Sequence, residues 1–255
     1  MRTALLLLAL VACSDRKAPP AAVGQATSPP AGTSTPTDKA HFLVTAVVND
    51  WTSTKARIQV WERGKDGWQK ATNDWPAVIG RSGAAWGIGV HGETPSREGP
   101  IKKEGDGKSP AGIFAIRGLY GVDEQTPSGV DLPYESTAKG DWLCIDDPNS
   151  EHYDEILDRK VVASDWESAE ELLRDDELYT YVLDVAHNPQ KKQGKGSCIF
   201  LHVWSGNDST TSGCTAMGKD KLLRLLETID TNTLYVLLPK ADYEALAPSW
   251  GLPPL

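Results

Sequence analysis

The chain has 255 residues and a formal net charge of −9, with 26 lysines and arginines against 35 aspartates and glutamates. This acidic balance argues against a nucleic acid as partner, because phosphate binding requires clustered basic side chains. The densest basic run is Lys191, Lys192 and Lys195, which is too short to form such a site.

The first residues have the pattern of an export signal. A basic start at residues 1–2 precedes an apolar run at 4–10, which is far too short to cross a bilayer. Residues 10–13 read Leu-Val-Ala-Cys, so small residues stand directly before a cysteine. We interpret residues 1–12 as a lipoprotein signal peptide and Cys13 as the lipidation site. The alternative is an ordinary secretory signal peptide.

Residues 13–40 are predicted to be the acylated cysteine and a disordered tether. From Lys17 to about Ala40 the chain is rich in Pro, Ala, Gly, Ser and Thr, so it lacks the apolar surface needed to fold. Several acyl chains on Cys13 would hold the protein on a membrane. Ser14, in place of an aspartate, favours the outer membrane by analogy with enteric bacteria. We therefore expect a lipid-anchored periplasmic protein.

Residues 41–255 have the length of one large domain or two small ones. β-Branched and aromatic residues predict strands at 42–48, 56–61, 75–80, 113–116, 199–204 and 234–238. Two helical stripes are predicted, one at Trp166, Ala169, Leu172 and Leu173 and the other at Leu222, Leu225, Leu226 and Ile229. The glycine-rich segment 103–112 is predicted to be a loop. The expected fold class is therefore mainly β with a few helices (α+β).

The strand at 199–204 carries the candidate chemistry. Because side chains alternate along a strand, one face carries Cys198, Phe200, His202 and Trp204, and the core face carries Ile199, Leu201 and Val203. The turn-forming run at 205–211 lets the chain reverse and bring Cys214 back toward the strand end.

Cys214 and His202 form the candidate catalytic pair. A thiol attacks as the thiolate, and with an unperturbed pKa of about 8.5 it needs a nearby base at neutral pH. Gly213 allows close approach of a substrate, and the main-chain N–H groups of Gly213 and Cys214 are candidate oxyanion donors. Cys198 is a weaker candidate because it lies roughly 13 Å from His202 along one strand. On spacing alone, a buried cysteine in a loop remains the alternative.

Two segments carry a family signature. Residues 196–204 read Gly-Ser-Cys-Ile-Phe-Leu-His-Val-Trp and residues 211–217 read Thr-Ser-Gly-Cys-Thr-Ala-Met. Together they resemble the catalytic signature of the L,D-transpeptidase (YkuD-type) family. Further segments resemble one branch of that family in the same order, namely 50–51, 79–87, 103–114 and 144–150 with Tyr153. The resemblance implies that 41–255 is one catalytic domain with a YkuD-like mixed β-sheet or sandwich fold.

The resemblance also implies a reaction. In that family a cysteine attacks the peptide bond between the L-centre of a diamino acid and a terminal D-alanine in a peptidoglycan stem. The acyl-enzyme then passes to an amine, giving a cross-link, or to water. We expect a cysteine acyltransferase acting on peptidoglycan stem peptides in cell-wall remodelling, without a cofactor or metal. The alternatives are an L,D-carboxypeptidase or amidase, and a non-catalytic wall-binding lipoprotein.

Residue roles follow from matching positions in the signature. The resemblance implies that Cys214 is the nucleophile, that His202 is the base, and that Gly213 helps to hold the oxyanion. It also implies that the main-chain carbonyl of Val203 orients the histidine, with Ser212 and Thr211 in supporting roles.

The chain departs from the commoner family pattern at two positions. Ser212 stands where many members have a second histidine, and Ala216 stands where many have arginine or asparagine. Both changes remove polar contacts, so they bear on the acceptor more than on the nucleophile. Trp204, on the His202 face, and Ala216 are the candidate substrate-binding residues.

The other cysteines and the histidines complete the expectations. An oxidising periplasm favours a disulfide, and we expect Cys144 to pair with Cys198 and leave Cys214 free. The alternative is two buried thiols on neighbouring strands. His91 and His187 are predicted at the surface. The acidic loop at 146–155 matches no known metal-ligand spacing, so we interpret it as solvated or substrate-facing.

Overall fold

The computed structural model describes residues 34–93 and 96–255. The signal peptide at 1–12, Cys13 and most of the tether at 13–40 lie outside these residues. Within the described ranges, no helix has the length and apolar character needed to cross a bilayer.

The described chain consists mainly of strands, which confirms the predicted fold class. In chain order, the strands are β1 (Phe42–Val48), β2 (Lys55–Gly64), β3 (Gly67–Lys70), β4 (Trp75–Val78), β5 (Ala84–Trp86), β6 (Ser109–Gly121), β7 (Tyr134–Ser136), β8 (Trp142–Cys144), β9 (Ile156–Asp158), β10 (Glu170–Glu171), β11 (Tyr181–Val185), β12 (Phe200–Val203), β13 (Thr215–Met217) and β14 (Thr233–Pro239). The helices are α1 (Lys219–Leu226) and α2 (Lys240–Trp250), with a 3-10 turn at Glu177–Tyr179.

The large sheet is mixed and returns to its own first strand. Its strands follow the order β1-β14-β6-β11-β12-β13-β4-β2-β3, and β1 also pairs with β2. The pairs β1–β14 and β12–β13 are parallel, whereas the other neighbours along this path are antiparallel. Because the sheet curls back on itself, its apolar faces enclose one main core.

The core explains the strand pattern that the sequence predicts. Ile199, Leu201 and Val203 pack into the main core, whereas Phe200 and Cys198 pack in a second cluster with Cys214. The alternation expected for this strand is therefore confirmed. Ordered strand pairing begins only at Phe200, because Cys198 has a positive φ of 53°.

A smaller sheet stands beside the large one, in the order β10-β8-β9. It contains the residues predicted as the first helix, and that prediction is wrong. Glu170 and Glu171 pair with β8, and the Leu172 N–H donates to the Trp142 carbonyl at 3.0 Å. The apparent helical period arises because a non-helical segment touches two apolar clusters, with Leu172 in one and Trp166 and Ala169 against the other.

The second predicted helix is confirmed, and a further helix was missed. α1 starts at Lys219 and buries Leu222, Leu225 and Leu226. α2 has a weaker apolar stripe and contains Pro248 near its end, with Gly251 in the left-handed conformation that ends it.

The domain begins before residue 41. Thr37 is fully buried, and its hydroxyl donates to the carbonyls of Trp250 and Gly251 at 2.9 Å each. Arg63 donates to the Thr37 carbonyl at 2.6 Å. The last residues of the segment expected to be a tether therefore satisfy carbonyl groups at the end of α2.

The surface position predicted for His187 is wrong. Its side chain is 1% exposed, and its ring binds the Lys195 carbonyl at 2.9 Å and the Ile88 N–H at 3.3 Å. Burial lowers the pKa of His187 to about 4. His91 is partly buried and its ring packs against Phe114 and Trp250.

We expect the core face of α1 to dominate its contribution to stability. Leu225 is fully buried and Leu223 is half-buried on the same helix. Leu225→Ala should cost about 2–5 kcal/mol of unfolding free energy because it leaves a cavity. Leu223→Ala should cost about 1 kcal/mol or less. Urea unfolding at pH 7 measures both, and equal losses would contradict the packing described.

Candidate active site

His202 lies on β12, and Cys214 stands directly before β13, the parallel neighbour of β12. The pairing of β12 with β13 places His202 beside Ala216 and Leu201 beside Thr215. One step earlier in the same register, Cys214 lies beside Phe200. Two steps along a strand at ~3.3 Å and one strand spacing of ~4.8 Å separate the two Cα atoms by about 8 Å. The register therefore places Cys214 and His202 on the same face of the sheet, within reach of one cleft.

Both side chains line a single cleft of about 460 Å³. Its floor includes Ala216, which is 1% exposed and has no polar side-chain atom. Trp204 lies half-exposed at the cleft. The other lining residues include Arg81, Lys102, Glu104, Asp146, Glu170, Arg174, Tyr179, Ser197, Ser212 and Gly213.

The imidazole of His202 is held by the main chain. Its Nδ1–H donates to the Val203 carbonyl at 2.8 Å, the carbonyl that the family resemblance implies. A carbonyl can only accept, so Nδ1 carries the proton and Nε2 is left to act as an acceptor. The Tyr179 ring packs edge-on against the imidazole with centroids 5.0 Å apart. Burial lowers the pKa of His202 to about 4, so the ring is neutral at pH 7.

The thiol of Cys214 also contacts main-chain groups. Its Sγ accepts the Phe200 N–H at 3.3 Å and points its own hydrogen to the Cys198 carbonyl at 3.5 Å. Burial raises the pKa of Cys214 above its ordinary value, and the nearby carboxylate of Glu170 is the second-largest cause of the rise. The resting pair therefore consists of a neutral thiol and a neutral imidazole.

The loop before Cys214 is fixed by hydroxyl groups. Thr211 Oγ1 donates to the Cys214 carbonyl at 2.6 Å, and Ser109 Oγ donates to the same oxygen at 3.0 Å. The Gly213 N–H donates to Thr211 Oγ1 at 3.2 Å. One of the two expected oxyanion donors is thus engaged in this structure, and it must leave Thr211 to serve a substrate.

Comparison with known proteins identifies the family to which this chain belongs. The L,D-transpeptidase catalytic domain model (YkuD) matches residues 44–237, which is more than half of the chain. The chain belongs to the YkuD family.

One solved structure similar to this YkuD domain is the helical cell shape determining protein Pgp2 from Campylobacter jejuni. The sequences are 16% identical and the TM-score is 0.36. The match covers 78% of this chain and 48% of that chain, so this chain spans about half the length of Pgp2. No curated protein matches the chain significantly.

A disulfide ties the small sheet of the YkuD domain to the strand that carries His202. The structure joins Cys144, at the end of β8, to Cys198, two residues before β12. The Cys198 carbonyl accepts a hydrogen bond from the Cys214 thiol, and the Cys198 N–H donates to Asp154 at 2.9 Å. This covalent link therefore fixes the main chain against which the thiol rests.

Asp154 also approaches the Cys144 and Cys198 sulfurs, as the side chains of a metal site would. Both sulfurs are already used in the disulfide. The Asp154 carboxylate binds Arg117 at 3.2 Å, and Arg117 also pairs with Asp184 at 2.8 Å. The group is therefore a buried ion cluster beside a disulfide.

Sequence reasoning missed several charged and aromatic residues of the cleft. Glu170 accepts a hydrogen bond from the Tyr179 hydroxyl, and Arg174 packs over the Tyr179 ring at 5.0 Å. Glu170 lies within the segment predicted as a helix and Arg174 directly after it. No pattern in the sequence indicated that these residues would line the same cleft as Cys214. Arg81 and Glu104 lie in segments that carry the family resemblance, which was the available signal.

We expect the thiol of the free protein to behave as a buried neutral group. The rate of Cys214 alkylation by iodoacetamide should rise with pH without a plateau below about 8.5, because the thiol pKa is raised. Glu170→Gln should increase that rate several-fold at pH 8, since it removes a negative charge beside the thiol. Glu171→Gln, at the exposed neighbouring position, should not. A plateau near pH 7 in the native protein would contradict this electrostatic description.

We expect the disulfide to stabilise both the domain and the site. The linked cysteines are 54 residues apart, and a loop of this size predicts a loss of about 4 kcal/mol for Cys144→Ala/Cys198→Ala. Cys214 should then also be alkylated faster, because its main-chain contacts loosen. Dithiothreitol should lower the unfolding free energy of the native protein by a similar amount and leave that of the double variant unchanged. Unfolding midpoints that coincide with and without the disulfide would exclude this role.

Proposed function

We propose that this YkuD domain is a cysteine acyltransferase acting on peptidoglycan stem peptides. The observation that carries the proposal is the placement of Cys214 and His202 on one face of β12 and β13, at a shared cleft. Membership of a family that acts on stem peptides supplies the substrate class. The neutral His202 ring, with Nε2 available, has the protonation state that a general base requires.

In the first half-reaction, Cys214 attacks the carbonyl between the L-centre of the diamino acid and the terminal D-alanine. The thiol proton moves to His202 Nε2 as the C–S bond forms. His202 then returns the proton to the departing amine as the C–N bond breaks. D-alanine leaves, and the stem peptide remains as a thioester on Cys214.

In the second half-reaction, the amine of another stem attacks the thioester. His202 takes a proton from that amine and returns it to the sulfur, so the enzyme recovers its starting state. The product is a peptide cross-link. Attack by water at the same point would give L,D-carboxypeptidase action.

The oxyanion of each tetrahedral intermediate requires donors near Cys214. The Cys214 N–H is one proposed donor, and the Gly213 N–H becomes the second when it leaves Thr211. Glycine is favoured at position 213 for a steric reason, because a Cβ there would lie 3.2 Å from the Lys108 carbonyl oxygen. The thiol must also rotate away from the Cys198 carbonyl, a rearrangement that bound substrate would favour.

A non-catalytic wall-binding protein is the second candidate. The observation that favours it is the thiol itself, which rests on main-chain groups and has a raised pKa. Such a protein would bind stem peptides without becoming acylated.

We also propose lipid anchoring through Cys13 and a periplasmic location at the outer membrane. The pattern of residues 1–13 and Ser14 supports both. The tether that follows would let the domain reach wall above the membrane.

Acylation of Cys214 tests the acyltransferase. The native protein should gain the mass of a carbapenem or of a stem-peptide acyl group, and Cys214→Ala should gain neither. His202→Gln should slow the reaction by about 10²–10⁴-fold because the general base is lost. His41→Gln, at an exposed histidine paired with Asp230, is the matched control and should keep the native rate. An unchanged adduct on Cys214→Ala would overturn the proposal.

Product analysis separates transfer from hydrolysis and from simple binding. Purified tetrapeptide muropeptides are incubated with the native protein and analysed by mass spectrometry. Transfer should yield dimers lacking one terminal D-alanine. Tripeptides without dimers would indicate carboxypeptidase action, and unchanged muropeptides that still bind would indicate the non-catalytic protein.

A further inference from the structure

Arg81 lies against the loop that carries Cys214. Its N–H donates to the Thr211 carbonyl at 2.8 Å, and Gly80 forms a β-bridge with Thr211. Its guanidinium Nη1 donates to Ser212 Oγ at 3.0 Å. Both the main chain and the side chain of Arg81 are therefore hydrogen-bonded to the loop that leads to Cys214. These contacts hold the guanidinium at the wall of the cleft.

The Arg81 guanidinium also packs against the loop at Gly107. A Cβ on Gly107 would lie 3.0 Å from both Cζ and Nε of Arg81. Gly107 has a φ of +68°, a conformation that glycine adopts without strain. The missing side chain leaves room for the planar group to lie against the backbone.

Arg81 differs from the other cations of the cleft in its partners. Lys102 pairs with Asp106 at 2.7 Å, and Arg174 pairs with Asp176 at 2.6 Å. Among residues 34–93 and 96–255, no carboxylate lies within 4.0 Å of the Arg81 guanidinium. Its charge is thus available to an anionic ligand.

The rest of the cleft directs an anion to the same place. Glu170 and Asp146 line the cleft and repel a carboxylate. Ala216, on the floor, offers no polar side-chain atom. A negatively charged end of a bound peptide is therefore favoured beside Arg81, whose partner Ser212 stands in the loop just before Cys214.

We propose that Arg81 binds the free C-terminal carboxylate of the donor peptide, next to the bond that Cys214 attacks. This inference rests on the proposed function and assigns Arg81 as a residue that determines specificity for the donor peptide. Two guanidinium N–H groups can bind one carboxylate in a bidentate, charge-assisted manner. Ser212 holds the guanidinium in place, which gives this serine a role that does not depend on the histidine found in other members.

The test compares two synthetic stem tetrapeptides, one ending in a D-alanine free acid and one ending in the D-alanine carboxamide. Binding to the non-acylating Cys214→Ala protein is measured by calorimetry, and acylation of the otherwise native protein is measured by mass spectrometry. The variants are Arg81→Gln, Arg81→Lys and, as a charge-matched control on the neighbouring exposed loop, Lys103→Gln. Thermal melts verify that each variant is folded.

The free acid should bind and acylate about 10–100-fold better than the amide, which is the range for one charged hydrogen-bonded contact. Arg81→Gln should remove this preference, so that the free acid and the amide bind and acylate alike. Arg81→Lys should keep part of the preference, and Lys103→Gln should keep all of it.

The outcomes distinguish this inference from the proposed function. Acylation of the native protein without a preference for the free acid would overturn the role of Arg81 and leave the acyltransferase intact. An Arg81-dependent preference in binding without any acylation would support the role of Arg81 and overturn the acyltransferase. Failure of both peptides to bind would overturn the inference, and a preference that survives Arg81→Gln would do the same.

Discussion

The parallel pairing of β12 with β13 is the constraint on which the rest of the site depends. In a parallel pair, residues side by side point the same way, so one register fixes the faces of both strands. That register places His202 beside Ala216, and the thiol of Cys214 therefore emerges on the imidazole side. A shift by one residue would turn one of the two groups into the core. The main-chain contacts of both groups then set how the pair rests before a substrate arrives.

The small sheet gives this pair its environment. The disulfide between Cys144 and Cys198 joins the sheet to the strand that carries His202, and the same sheet contributes Glu170 to the cleft wall. A carboxylate beside a thiol opposes thiolate formation, and burial acts in the same direction. The site therefore differs from one that stores a ready thiolate, and the attack that we propose requires proton transfer to His202. Such a resting state limits reaction of the thiol with oxidants and stray electrophiles.

The charges of the cleft are unevenly distributed. Lys102 and Arg174 are neutralised by carboxylates that lie next to them, whereas Arg81 binds a serine hydroxyl. Ala216 offers no polar side-chain atom to the cleft, and Arg81 provides a guanidinium to it from a different segment. The partners of each charged side chain therefore show which charge of the cleft is unpaired, and a count of charged residues does not reveal this.

Local sequence pattern was enough to predict the β-rich class, the core face at Ile199, Leu201 and Val203, the helix that buries Leu222, Leu225 and Leu226, and the segments that carry the family signature. These features depend on local periodicity and on residue types next to one another in the chain. Contacts between distant segments were needed to establish that Glu170 and Glu171 form a strand, that His187 is buried, and that Glu170 and Arg81 line the cleft with Cys214. These outcomes depend on pairing with β8 and on contacts between segments far apart in sequence, and a local pattern carries no record of such partners.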